Sequence, residues 1–177
     1  MTQSTYPHFA DRLISRIRHL GHPPCLGLDP HLAQIPALFQ RGDMRSNSPQ
    51  TPQACVDFLL AILERAEGRA AIVKPQIAFF EQMGWRGLEV LTKVVERARA
   101  LGFITLLDAK RGDIGSTAEG YAKAYLEPGS PIEVDSITLN PYLRSTVRGA
   151  RKQNADCGIA YARAGGRTTP VAALAAC

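Results

Sequence analysis

The chain alternates between apolar residues spaced three to four apart and short unbroken apolar runs. Phe9, Leu13, Ile14, Ile17 and Leu20 fall at helical spacing, and Gly21 ends the run. Cys25-Leu26-Gly27-Leu28 reads as a first strand, closed by Asp29-Pro30. Residues 41–50 are rich in polar residues, Gly and Pro and read as a loop. Thr51 is the expected N-cap of a second helix, with Pro52 at its first position. That helix runs through Val56, Leu59, Leu60 and Leu63 to near Gly68. Residues 70–74 form a second strand, stopped by Pro75. A third helix over 89–100 places Leu88, Leu91, Val94, Val95 and Ala98 on one side, with Gly102 beyond it. Residues 103–108 read as a third strand, 117–127 as a helix broken by Pro128-Gly129, and 136–140 as a fourth strand closed by Pro141.

Strands alternating with helices predict a parallel sheet, and unbroken Ile/Leu/Val runs suit strands covered on both faces. Each run also ends in a polar residue: Asp29, Lys74, Asp108 and Asn140. A (β/α) barrel collects its chemistry at the C-terminal strand ends, and so does an open doubly wound sheet. The pattern alone leaves both possible. Neither a G-x-G-x-x-G nor a phosphate-loop motif is present.

Composition narrows the class. The chain has 177 residues, 45 % hydrophobic and 21 % charged, which is ordinary globular usage for one domain. The N-terminus is charged and lacks a 7–15-residue apolar core, so a signal peptide is not expected. The apolar run near residues 103–107 falls far short of a ~20-residue membrane span. A cytoplasmic protein without membrane association is therefore expected. Cys25, Cys55, Cys157 and Cys177 are far apart and read as separate reduced thiols. His19 and His22 read as a surface helix end rather than a metal seed, because no third ligand is placed near them.

The sharpest segment runs from Leu107 to Thr117 and reads Leu-Asp-Ala-Lys-Arg-Gly-Asp-Ile-Gly-Ser-Thr. Asp108 and Lys110 are two apart at a strand end, so both side chains point to one side, toward a barrel interior. Asp113 follows in the loop, and Lys74 ends the neighbouring strand. Two cations and two anions held together keep a lysine charged while setting a carboxylate against an anionic substrate. A purely structural ion-pair network at the barrel mouth fits the same spacing.

Asp-x-Lys-x-x-Asp on strand three, Lys74 on strand two and Asp29 on strand one resemble the orotidine 5′-phosphate decarboxylase family. The wording is closest to the branch reading Asp-Ala-Lys-Arg-Gly-Asp-Ile-Gly-x-Thr. The blocks Val73-Lys74-Pro75-Gln76-Ile77-Ala78-Phe79-Phe80-Glu81 and Ile137-Thr138-Leu139-Asn140-Pro141-Tyr142-Leu143 resemble it too. The resemblance implies a (β/α)8 TIM barrel that decarboxylates orotidine 5′-monophosphate to UMP without cofactor or metal. It implies that Asp29 binds the ribose hydroxyls and that Lys74 links the ribose to the charged network. Asp108 would face the substrate carboxylate, and Lys110 would protonate C6. Asp113 would be donated across a homodimer interface, with Ile114 and Thr117 on the same loop and Thr117 at the ribose. Asn140 would line the pyrimidine side. The chemistry suits the residues: the departing carboxylate leaves a carbanion with no sink on the substrate, so preorganised charge and a poised proton donor must carry catalysis.

The resemblance stops near Leu143, after four strands, whereas a closed barrel needs eight in ~250 residues. Residues 144–177 hold nine Ala, five Arg, four Gly and one acid, Asp156, and lose apolar periodicity. Residues 157–162 resemble a fifth strand. The expected organisation is residues 1–143 as the N-terminal four to five βα units of a barrel, and 144–177 as an atypical, out-of-frame basic tail of a truncated product. A half barrel leaves an open edge and an uncovered interior face. Poor solubility and little turnover are therefore expected. A Mg²⁺-dependent phosphosugar lyase shares Asp-x-Lys-x-x-Asp but carries an acid on strand two, where this chain has Lys74, with Glu81 well beyond. An inactive fragment serving as a binding or interaction protein is the non-enzyme alternative. A basic nucleic-acid module is disfavoured by where the charge sits. Residues 1–143 contain 15 Lys+Arg and 15 Asp+Glu, so the whole +5 excess lies in 144–177. Trp85, the single tryptophan, reads as covering a helix start beside Arg86.

Overall fold

A computed structural model describes residues 9–113, 115–140, 159–164 and 167–171, the last two segments by backbone alone. Helix α1 (Phe9–Leu20) leads into β1 (Cys25–Leu28) and a short 3-10 turn, Leu32–Gln34. Then follow α2 (Thr51–Ala66), β2 (Ile72–Pro75), α3 (Ala78–Glu81) and α4 (Trp85–Ala100). The order closes with β3 (Ile104–Arg111), α5 (Gly115–Tyr125), β4 (Ser136–Leu139), β5 (Ile159–Ala164) and β6 (Arg167–Val171).

The strands form one sheet in chain order. β1 to β4 are parallel neighbours, as expected of barrel units joined by helices. β5 pairs antiparallel with β4, and β6 antiparallel with β5. The barrel pattern required a parallel fifth strand. The antiparallel β5–β6 pairing follows from its two-residue link, Gly165-Gly166, which is too short for a parallel crossover; the 19 residues between β4 and β5 would allow either direction. Among the described residues β1 is an edge strand, and Cys25 and Gly27 on it are exposed.

Two apolar clusters cover opposite faces of the sheet. On one face Val73 and Leu107 pack with Leu59 and Leu63 of α2 and with Val90, Leu91, Val94, Val95 and Ala98 of α4. Fully burying each such side chain is worth about 1.5–3 kcal/mol, so this face dominates stability. On the other face Phe9 and Leu13 of α1, with Ile17 and Leu20 beside them, cover Ile72 and Ile104. Strand alternation places Lys74 and Asp108 on this second face, toward the C-terminal strand ends, and Lys110 reaches Asp108 there through its side chain.

Several local expectations are corrected. Ile14 is 47 % exposed, because α1 buries only the narrow stripe through Phe9 and Leu13. Leu88 lies at the edge of α4, and Val90 takes the core position. The helix starts at Trp85 because Gly87 lets it approach α3; a Cβ there would stand 1.8 Å from the Phe80 carbonyl oxygen. Thr51 does not cap α2. Gln50 precedes the helix without a side-chain cap, and the buried Thr51 hydroxyl donates instead to the Arg45 carbonyl at 2.7 Å, tying down the long loop. Pro52 is the second helical residue, not the first.

Candidate active site

Asp108 is the centre of the charged group. Its carboxylate accepts from Lys74 Nζ at 3.1 Å through Oδ2 and from Lys110 Nζ at 2.5 Å through Oδ1. Oδ1 also accepts from the Thr138 hydroxyl at 3.0 Å. The main chain of Asp108 is fixed from just beyond β2, since Ile77 N donates to its carbonyl at 3.2 Å. Burial works to raise the carboxyl's pKa, but the hydrogen bonds from Lys110, Lys74 and Thr138, with the charge of Lys74, outweigh it and hold the group below its usual range. Asp108 is therefore an anion between two ammonium groups, and the three together carry one excess positive charge, which suits an anionic substrate.

Exposure divides the three. The Asp108 side chain is 12 % exposed, Lys74 32 % and Lys110 67 %. The anchor is buried, and the tip that would meet a ligand is open.

The backbone here departs from regular strand. Leu107 pairs with Ile137 and Arg111 with Leu139, so Asp108, Ala109 and Lys110 all face the single residue Thr138. Bulges of this kind re-aim side chains beside active sites. Lys110 sits at φ 47°, a left-handed conformation that costs a non-glycine residue roughly 1–2 kcal/mol. The Arg111 carbonyl then accepts from Asn140 N at 2.7 Å, which closes the bulge.

Arg111 anchors the far side. Its guanidinium donates to Glu81 of α3 and lies over the Tyr121 ring of α5, 5.7 Å from the centroid. Burial alone would lower its pKa, but Glu81 and Tyr125 hold it above the usual value. Glu81, which lies well beyond strand two, is thus engaged by Arg111.

The residues singled out from sequence are partly gathered. Lys74, Asp108 and Lys110 meet directly. Asp29 follows β1, is exposed, and enters no ion pair among the described residues. Asp113 is half-buried between β3 and α5. Thr117 is exposed in the first turn of α5, and Asn140 is exposed just after β4. Ile114 lies outside the described residues. The third strand runs on to Arg111, three residues past its expected end. Thr138 and Arg111 were not among the expected site residues. The available signal for Thr138 was a hydroxyl between two apolar residues, two before Asn140.

Parallel βα units with a lysine–aspartate–lysine group at their C-terminal strand ends define the first part of a (β/α)8 barrel with a charged site. The family profile described as "Orotidine 5'-phosphate decarboxylase / HUMPS family" matches residues 22–169, and the chain belongs to that family. The matched span passes Leu143 and enters the basic segment. The orotidine 5′-phosphate decarboxylase of Salinispora arenicola is 43 % identical over 135 residues, covering 76 % of this chain and 45 % of the relative. A solved chain from Streptomyces avermitilis superposes with a TM-score of 0.66 at 39 % identity, over 80 % of this chain and 46 % of that one. The structure of Leishmania donovani OMP decarboxylase gives a TM-score of 0.58 at 31 % identity, over 77 % of this chain and 45 % of that one. The chain spans about half the length of the relatives it matches.

Proposed function

We propose that this site decarboxylates orotidine 5′-monophosphate to UMP, the closing step of pyrimidine nucleotide synthesis, in the cytoplasm. The observation that carries the reading is Asp108 held between Lys74 and Lys110 at the strand ends. The names of the relatives in Salinispora arenicola and Leishmania donovani support the same activity.

Loss of carbon dioxide from C6 leaves an electron pair on carbon. The barrier falls when a fixed cation faces that pair and a proton arrives as it forms. Lys110 does both in this scheme. Its ammonium lies against C6, its proton passes to C6, and the neutral amine regains a proton from water. Asp108 aims Lys110 and faces the substrate carboxylate, whose departure relieves the repulsion between them. Lys74 connects this group to the ribose, which Asp29 and Thr117 also contact. Asn140 lines the pyrimidine side. Asp113 and Ile114 complete the partner's site in a homodimer. Neither metal nor organic cofactor enters the scheme. Residues 1–143 carry these groups, and 144–177 contribute none of them.

Turnover by the 177 residues alone is slow in this reading, because water around an exposed lysine weakens every charge interaction the scheme uses. The test is calorimetric titration of the purified chain with UMP, alongside carbon dioxide release from orotidine 5′-monophosphate. Binding with slow release is the expected result. A folded chain that binds neither nucleotide overturns the activity. Release at the rate of a full-length decarboxylase overturns the slow turnover.

A further inference from the structure

The bulge leaves a hydrogen-bonding problem that Thr138 solves. Three residues of β3 face one residue of β4, so the amides of Ala109 and Lys110 lose their places in the ladder. Both donate instead to the Thr138 hydroxyl oxygen, at 3.1 and 3.0 Å. A hydroxyl has two lone pairs and one proton. With both lone pairs taken by N–H donors, its proton has one direction left, toward Asp108 Oδ1 at 3.0 Å. The hydroxyl is thus saturated and its polarity determined. It touches the buried carboxylate and, through the main chain, the residue that carries the exposed ammonium.

We propose that Thr138 is a positioning residue of this site, setting the orientation of Asp108 and the left-handed backbone of Lys110 through one saturated hydroxyl. The inference rests on the decarboxylase reading for its kinetic consequence only; the geometric part stands on the bulge. Serine supplies the same oxygen. Valine matches the shape of threonine, removes the proton from Asp108 and strands two amides. The charged groups facing Asp108 are Lys74 from β2 and Lys110 from β3, and neither changes in these variants.

The experiment compares the full chain with Thr138→Val and Thr138→Ser. Carbon-13 NMR follows the Asp108 carboxyl through pH, assigned with Asp108→Asn, and nitrogen-15 spectra follow the Ala109 and Lys110 amides. Thr138→Val is expected to move the Asp108 midpoint upward and shift both amides, while Thr138→Ser stays close to the parent. In turnover, Thr138→Val is expected to lower kcat by about 10–100-fold, the range seen when hydrogen bonds behind metal-ligating residues are removed, with KM within about twofold. Thr138→Ser is expected to recover most of that loss. An unchanged Asp108 midpoint and unchanged amides in Thr138→Val overturn the inference, as does a serine variant as impaired as valine. If valine prevents folding, Thr138→Ala against Thr138→Ser gives the same reading. A parent chain without decarboxylation refutes the proposed function, and the titration still decides the role of Thr138.

Discussion

β3 and β4 carry two carboxylates clamped in related ways at opposite ends of the same strand pair. At the C-terminal end, Asp108 of β3 accepts from Thr138 of β4. At the N-terminal end, Asp135, just before β4, accepts from the Thr105 hydroxyl at 2.9 Å and the Thr105 amide at 2.8 Å. Both side chains are almost equally buried, at 12 % and 11 % exposure. They differ in their cations. Asp135 takes one guanidinium, Arg12 at 2.5 Å, and its other oxygen is filled by backbone and hydroxyl donors. That clamp is closed, and it fastens α1 to the sheet. Asp108 takes two lysines on flexible stems, one of them mostly in water. A carboxylate saturated by fixed donors is structural, whereas one held by movable ammonium groups has partners free to turn to a substrate.

Four measurements test this contrast, in decreasing order of effect. Lys110→Ala is expected to lower decarboxylation by about a thousandfold, within the range general acids contribute, while leaving the urea midpoint close to the parent. A variant that unfolds would place Lys110 in the structural class. Asp135→Ala is expected to cost about 2–3 kcal/mol in urea unfolding, since it strands the buried Thr105 amide and hydroxyl donors. Asp108→Ala should cost less, because its lysines relax into water; equal losses would erase the distinction. The third measurement is stability against pH. The folded Asp108 pKa lies below its ordinary value, so its stabilisation is fully present above ~4 and is lost as pH falls through the folded value. Asp108→Asn should flatten the fall of the urea midpoint below pH ~4; an unchanged slope would show that Asp108 does not contribute. Arg12→Lys keeps the charge on a side chain 42 % exposed, and should change stability by only about 0.5 kcal/mol. A loss several times larger would mean that guanidinium geometry, not charge, holds α1.

Much of this was legible in one dimension. The first strand over Cys25–Leu28 matches expectation, and β2, β3 and β4 fall within a few residues of it. Unbroken apolar runs with Pro or Gly at their ends are strong signals. Asp108 and Lys110 do meet, as expected, but through a bulge with Lys110 left-handed rather than by strand alternation. Contacts between distant segments were hidden. Thr51 looked like a cap, but a carbonyl six residues earlier claimed its hydroxyl. Trp85 does open a helix, yet it stays 64 % exposed, stacked with Arg86 rather than covering anything. The antiparallel β5 ran against the barrel pattern.

Local rules therefore determined the alternation of strands and helices, the polar strand ends and the family. They also located the charge excess in 144–177, because each depends on residue type and spacing alone. Only the folded chain showed that Asp135 is a staple and which partners hold Asp108. The Asp-x-Lys-x-x-Asp spacing already set Asp108 apart in the sequence, whereas nothing in the neighbours of Asp135 marked it as a staple. Their roles diverge because Lys74, Lys110 and Thr138 converge on one, and Arg12 and Thr105 on the other. Those partners lie up to 123 residues away in sequence, and only packing brings them within hydrogen-bond distance.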